Sequence, residues 1–167
     1  MAEKLTKKDI ERIEAEIEER KLELRPVLIE AVKEARAQGD LSENFEYYAA
    51  KREKNKNESR IRYLDRMLRT ARIVEDATQL DEVGLEKTVT VYFEEDDEEE
   101  VYRIVTPIRC NSLEGKVSIE SPIGKALMGR KVGETVRVAL PSGGGYSLRI
   151  LAIEATIDDG SDKIRGY

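Results

Sequence analysis

From Thr6 to Gln38 the apolar residues Ile10, Ile13, Ile17, Leu24, Leu28, Ala31 and Ala35 recur at spacings of three, four or seven. That period lays them along one narrow seam of an α-helix, the pattern of a coiled coil or an antiparallel helical hairpin. The seam stops at Ala37-Gln-Gly-Asp-Leu-Ser-Glu-Asn44, and a second helix-patterned arm then runs from about Glu43 to Val74. Its apolar positions are Phe45 and Tyr48 near the start and Ile61, Leu64, Leu68 and Ala71 at the far end. A helix with one apolar seam must bury it against a partner, and here the nearest partner is the other arm. Residues 1–75 are therefore expected to form an antiparallel coiled-coil hairpin with the eight-residue stretch as its tip. At 1.5 Å per residue, arms of about 30 residues span roughly 45 Å, too long to serve compactness. Pro26 removes one N–H and predicts a kink rather than a break, because the period resumes on both sides of it.

Two readings of the tip stand side by side. Gly39 stops the first helix without a Cβ clash, and Asp40 then serves as N-cap of the second, with Glu43 three residues on as in a capping box. Alternatively, two carboxylates at a solvent-exposed point are there to hold a metal ion. Beyond the tip, Lys51-Arg-Glu-Lys-Asn-Lys-Asn-Glu-Ser-Arg60 contains nothing apolar, and Lys51 to Arg72 carries nine basic residues against three acidic ones. Such a run is either a solvated helix face or a surface turned toward a polyanion.

After residue 75 the pattern changes. Residues 76–86 show no sustained period and read as a linker. Val89, Val91 and Phe93 then alternate with Thr90 and Tyr92, and Val101 to Val105 follows an unbroken acidic run, Glu94 to Glu100, which reads as a solvated hairpin loop. Lys116 to Ile119, Glu134 to Leu140 and Tyr146 to Ile153 are further strand candidates. Ser121 to Gly129 reads as one short helix with Ser121 as N-cap and Pro122 in its first turn. Residues 87–155 thus form a small antiparallel β domain with one helix, and residues 156–167, polar and Gly-containing, a flexible tail. The fold class is α+β.

Composition narrows the chemistry. Charged residues make up 38% of the chain and aromatics 5%, with no Trp, which suits two small units better than one large core. There is no His, which removes imidazole bases, His ligands and nucleophilic triads together. The single Cys110 has no partner for an internal disulfide and reads as a small core residue. The formal charge of −6 hides a division: 18 basic against 17 acidic residues over 1–75, and 11 against 18 over 76–167. No apolar leader or membrane-length run occurs, so a cytoplasmic protein without membrane association is expected.

With those residues on the page, Glu34-Ala-Arg-Ala-Gln-Gly-Asp-Leu-Ser-Glu-Asn-Phe-Glu-Tyr-Tyr-Ala-Ala-Lys51, Ser59-Arg-Ile-Arg-Tyr-Leu64 and Ala71-Arg-Ile-Val74 resemble the bacterial Gre transcript-cleavage factors, the GreA type most closely. Ser121-Pro-Ile-Gly-Lys-Ala-Leu-Met-Gly129 with Val132-Gly-Glu134 is similar to that family's second domain. The resemblance implies an FKBP-like C-terminal domain that docks on the rim of the RNA polymerase secondary channel, and a coiled coil that reaches down the channel. At the tip, Asp40 and Glu43 would act in trans in the polymerase active centre. There they would help hold a shared second Mg²⁺ while the 3′ end of a backtracked RNA is cleaved. Ser42 and Asn44 would support the tip, Arg36, Lys51 and Arg52 would face the extruded RNA, and Glu120, Ser121, Pro122 and Ile123 would dock. The free factor would be monomeric, would bind Mg²⁺ only weakly and would be no enzyme by itself.

Phe45 and Tyr48 depart from the family, which more often has Ala and His there; packing between the arms is expected of them, with stacking on an RNA base as the alternative. Residues 106–113 and the tail after Ala155 do not follow the family closely. Two other functions remain in view. An inhibitory family member would occupy the channel without promoting cleavage. A peptidyl-prolyl isomerase or chaperone would need an aromatic-lined pocket, for which the second domain offers only Tyr92, Phe93, Tyr102 and Tyr146.

Overall fold

The computed structural model describes residues 2–38 and 44–166. The first arm is helical in three pieces, α1 (Lys7–Glu19), a π-helical turn (Arg20–Leu24) and α2 (Arg25–Arg36), and the second is the 25-residue α3 (Phe45–Arg69). Just before Pro26, where a kink is expected, lies the π turn, which the Arg25 N–H closes by donating to the Arg20 carbonyl. Pro26 then falls in the first turn of α2, where no intrahelical donor is required. The second arm ends at Arg69, earlier than the period suggested. Arg72–Ile73 leave the helix to form β2, which pairs in parallel with β1 (Lys4–Leu5).

The chain divides into two units, one containing Asp9–Ala71 and the other made of Lys4–Lys8 with Arg72–Gly166. In the hairpin unit Ile13 and Ile17 of α1 and Ile61, Leu64 and Met67 of α3 are buried, whereas Leu24 is exposed and Leu28 and Ala31 are half-buried. Where the apolar seam gives out, polar pairs take over. Glu16 accepts from Arg60 Nε (2.9 Å) and Arg20 Nε (3.0 Å). Asn57, 2% exposed, accepts from Arg20 Nη1 at 3.0 Å and donates back to the Arg20 carbonyl at 3.2 Å. Arg25 makes a two-pronged pair with Glu58 at 3.0 and 2.8 Å. Partial burial pushes the Glu16 carboxyl up, but the Arg60 and Arg20 hydrogen bonds outweigh it and leave the group below its ordinary value. Arg20 and Arg25, five positions apart, thus reach the adjacent Asn57 and Glu58. The wider π turn between them absorbs the difference in register.

The second unit carries β3 (Lys87–Phe93), β4 (Glu98–Val105), β5 (Lys116–Ser118), α4 (Pro122–Leu127), β6 (Thr135–Ala139) and β7 (Gly145–Ala155). The five strands are ordered β5-β4-β3-β7-β6, and all pairs are antiparallel except β4 with β5. The core is the inward half of the alternation: Val89 and Val91, Val136 and Val138, Leu148 and Ile150, joined by Val83, Ile104 and Leu127.

Four expectations are corrected in this unit. Residues 76–86 are not a free linker, since Val83 and Leu85 are buried and the Lys87 ammonium donates to the Glu82 and Gln79 carbonyls and to Thr78 Oγ1. The acidic run is only partly a loop. Glu94–Asp97 turn, with Asp97 at φ 51°, while Glu98 to Glu100 pair in β4 opposite Phe93, Tyr92 and Val91. Cys110 is exposed rather than in the core.

The tail is also no loose end. Arg109 is 1% exposed and donates to both oxygens of Glu86 and, at 3.1 Å, to Asp162 Oδ2. Asp162 in turn holds Arg103 at 3.0 Å and Lys116 at 2.7 Å, and the Arg165 backbone N–H donates to the Ile108 carbonyl at 2.8 Å. Residues 156–166 thus form a strap that supplies carboxylates to three cations, Arg103 and Lys116 on the sheet and Arg109 in the helical turn after β4. A polar composition suggested solvent, but these acids are spent on buried partners.

Burial would raise the Asp162 carboxyl, yet the Lys116 and Arg109 hydrogen bonds and the Arg103 charge bring it down to about 2. A depressed carboxyl stabilises the fold fully above its unfolded value near ~3.9, and that stability is lost as pH falls toward the folded value. Asp162→Asn should cost about 2–4 kcal/mol at pH 7 in denaturant unfolding, by removing the carboxylate that Arg109, Arg103 and Lys116 share. The gap between variant and wild type should stay constant above about pH 4 and narrow steadily below it.

Candidate functional site

At the end of the hairpin unit, α2 closes with the Ala37 N–H donating to the Lys33 carbonyl at 3.1 Å. The N-cap of α3 is Asn44, whose side-chain oxygen accepts from the Tyr47 N–H at 3.0 Å and whose amide nitrogen donates to the Ala35 carbonyl. One side chain thus satisfies orphan groups at the end of one arm and the start of the other. This corrects the expectation that Asp40 caps the second helix. Asp40, Ser42 and Glu43 themselves lie outside the described residues. Among the described residues no cluster of three or more acidic or sulfur-bearing side chains could hold a metal ion.

Arg36 at the end of α2 donates from Nη2 to the Tyr47 hydroxyl at 3.3 Å, with its guanidinium 5.4 Å from the centre of the same ring. That hydrogen bond, helped by the Lys51 and Lys54 charges, holds the Tyr47 phenol below its ordinary value. Tyr47 meets Tyr48 edge to face at 5.5 Å and 67°. Lys51 and Arg52, one turn on, are exposed.

The packing expected of Phe45 and Tyr48 is not found, for Phe45 is 85% exposed and Tyr48 48%. Asn44 and Tyr47 reach for the first arm, and with about 100° of rotation per residue Phe45 and Tyr48 point elsewhere. Sequence patterning did not single out Tyr47, although an aromatic in the first turn of the second arm opposite the Arg at the end of the first was a usable signal. Asn57 lay unmarked in a polar run and had none.

In the second unit Ser121 caps α4, its Oγ accepting from the Gly124 N–H at 3.1 Å and donating to the Ser118 carbonyl at 2.6 Å. A Cβ on Gly124 would come within 2.0 Å of that carbonyl, so only glycine lets the turn close. Glu120 pairs with Lys4 at 3.3 Å. Glu120 and Pro122 line an open cleft of about 520 Å³ with Lys125, Ala126, Arg137, Ala139 and Pro141. Ser121 is committed to the cap, and Ile123 packs toward the core.

A helical hairpin capped across its tip by a single asparagine, together with a mixed five-stranded sheet domain, defines a two-unit α+β protein that presents a charged helical arm. The N-terminal domain of transcription elongation factors matches residues 3–73, and the C-terminal domain of GreA/GreB transcription elongation factors matches residues 77–155. The chain belongs to the GreA/GreB family of transcription elongation factors and is of the GreA type. It is 48% identical over 160 residues to the transcription elongation factor GreA of Streptococcus pneumoniae serotype 19F (strain G54), covering 93% of this chain and 99% of that one. To the GreA of Streptococcus sanguinis (strain SK36) it is 47% identical over 161 residues, covering 94% and 100%. Among solved structures, the GreA factor homolog 1 (Gfh1) protein of Thermus thermophilus aligns over 93% of this chain and 100% of its own at 29% identity and a TM-score of 0.43. No helix among the described residues is long and apolar enough to cross a membrane.

Replacing Asn44 by Ala removes both the cap and the link to Ala35, a loss of about 1 kcal/mol or more. Amide exchange across the first two turns of α3 should speed up about tenfold while the strands of the second unit exchange as before.

Proposed function

We propose that this elongation factor binds RNA polymerase, reaches its active centre through the secondary channel with the hairpin, and stimulates cleavage of backtracked transcripts. The observation that carries this reading is the cap. Because Asn44 serves as N-cap of α3, the acids between the arms are not needed to start that helix. On this reading Asp40 and Glu43, in the connection between two long charged helices, serve as metal ligands. α3 alone runs about 37 Å at 1.5 Å per residue, a reach suited to a narrow channel.

Hydrolysis of a phosphodiester at a two-metal centre uses one ion at the leaving oxygen and one to activate water. Mg²⁺ is commonly held by one or two carboxylates, so Asp40 and Glu43 are a fitting share of its ligands, with the rest supplied by the polymerase. Two carboxylates alone bind such an ion weakly, so the reading makes the factor inert by itself. Lys51 and Arg52 would attract the phosphates of the extruded RNA without reading its sequence, with Arg36, already bonded to Tyr47, adding its charge nearby. The cleft at Glu120 and Pro122, with Lys125 and Arg137 on its walls, is the candidate docking surface of the second unit.

A stalled, backtracked polymerase complex supplied with Mg²⁺ tests the reading. The wild type should shorten the RNA, and Asp40→Asn and Glu43→Gln should each slow cleavage at least roughly 10-fold. Occupancy of the complex without shortening would identify an inhibitory channel binder instead. Lys51→Gln and Arg52→Gln should weaken the factor's hold on such complexes regardless of RNA sequence. Each should lower the slope of log affinity against log salt by about 0.7 for every phosphate that is no longer neutralised.

A further inference from the structure

The first turns of α3 carry two exposed aromatic rings that the cleavage reading does not use, beside the cations that it does. Phe45 is 85% exposed and Tyr48 48%, although both are large aromatic side chains. On a helix advancing about 100° per residue, Phe45, Tyr48 and Arg52 fall within an arc of about 60°, and Lys51 borders it. Glu46 and Glu53 project from a different side, so this face holds two aromatic rings and two cations and no acid. Lone exposed aromatics are ordinary, but two rings one turn apart, flanked by cations, are the combination that binds single-stranded nucleic acid. Rings stack on bases while the cations meet the backbone.

One of the two rings, that of Tyr48, is also held in place. Arg36 fixes Tyr47 by a hydrogen bond and a cation–π contact, and Tyr47 meets Tyr48 edge to face, which limits the positions open to the Tyr48 ring. A ring fixed before binding loses little entropy when a base stacks on it. A protein partner of apolar character would match the rings but not the bare cations; a phosphate-bearing strand matches both.

We propose that Phe45 and Tyr48, bordered by Arg52 and Lys51, form a stacking platform for nucleobases of single-stranded RNA. The inference deepens the proposed function and rests on it for the RNA's identity, the extruded 3′ segment of a backtracked transcript. On that reading, the platform holds the bases while Asp40 and Glu43 serve the scissile phosphate.

The chain has no Trp, so Phe45→Trp introduces a lone indole at the platform. That variant is titrated at low salt with a single-stranded RNA of about ten nucleotides and with a strand of the same length lacking bases. The base-bearing strand should quench the indole emission and the abasic strand should not. Adding Tyr48→Ala should weaken the apparent affinity roughly 5- to 100-fold. Equal quenching by both strands, or quenching by neither, overturns the proposal. So does a Phe45→Ala variant that loses affinity for polymerase lacking RNA, which would assign the face to the polymerase surface. The fluorescence readout involves no polymerase. Quenching without transcript cleavage would sink only the proposed function, and cleavage without quenching only the platform.

Discussion

Two helices of this length remain paired past Ile17 and Ile61 because charged side chains are matched across them. Apolar packing thins there, with Leu28 and Ala31 half-buried and Ala35 buried nearer the tip, and Glu16, Arg20, Arg25, Asn57, Glu58 and Arg60 carry the pairing across the gap. Such pairs are weak sources of stability when exposed, yet they are specific in register, since each guanidinium must meet its own acceptor. An apolar seam along the whole arm would hold more tightly. It would also make a sticky outer half, unsuited to the proposed channel lined by another protein and occupied by RNA.

The second unit solves a related problem in the opposite way. It buries charge, placing Arg109 among Glu86, Asp158 and Asp162 and drawing Arg103 and Lys116 to the same carboxylates. Burial of a charge is expensive unless it is fully paired. The strap is therefore part of the domain, and the sheet without it would leave three cations short of partners.

The candidate site lies where neither device operates. Around the start of α3 the structure commits Asn44, Arg36 and Tyr47 to holding the two arms in register. That commitment releases their neighbours, so Phe45, Tyr48, Lys51 and Arg52 remain exposed. Support and exposure are thus assigned to different sides of one helix by its 3.6-residue period. In the second unit, Ser121 and Gly124 are spent on closing a turn, while Glu120 and Pro122 face the cleft.

Read alone, the amino-acid sequence establishes the hairpin, the period-two domain and the Ser121 cap, because each is a local pattern: seam spacing, strand alternation, or a side chain within three residues of its partner. Through its resemblance to the Gre factors it also singles out Asp40, Glu43, Arg36, Lys51 and Arg52 as candidates. Tertiary packing settles that Asn44 rather than Asp40 caps α3, that Phe45 and Tyr48 stand in solvent, and that the polar segments 76–86 and 156–166 are folded in. For the cap and the two polar segments the deciding partner lies on another element, Ala35 for Asn44, Lys87 for Thr78 and Glu82, Arg109 for Asp162. A polar side chain looks the same in sequence whether its charge is met by water or by a residue fifty positions away, and only folding tells them apart.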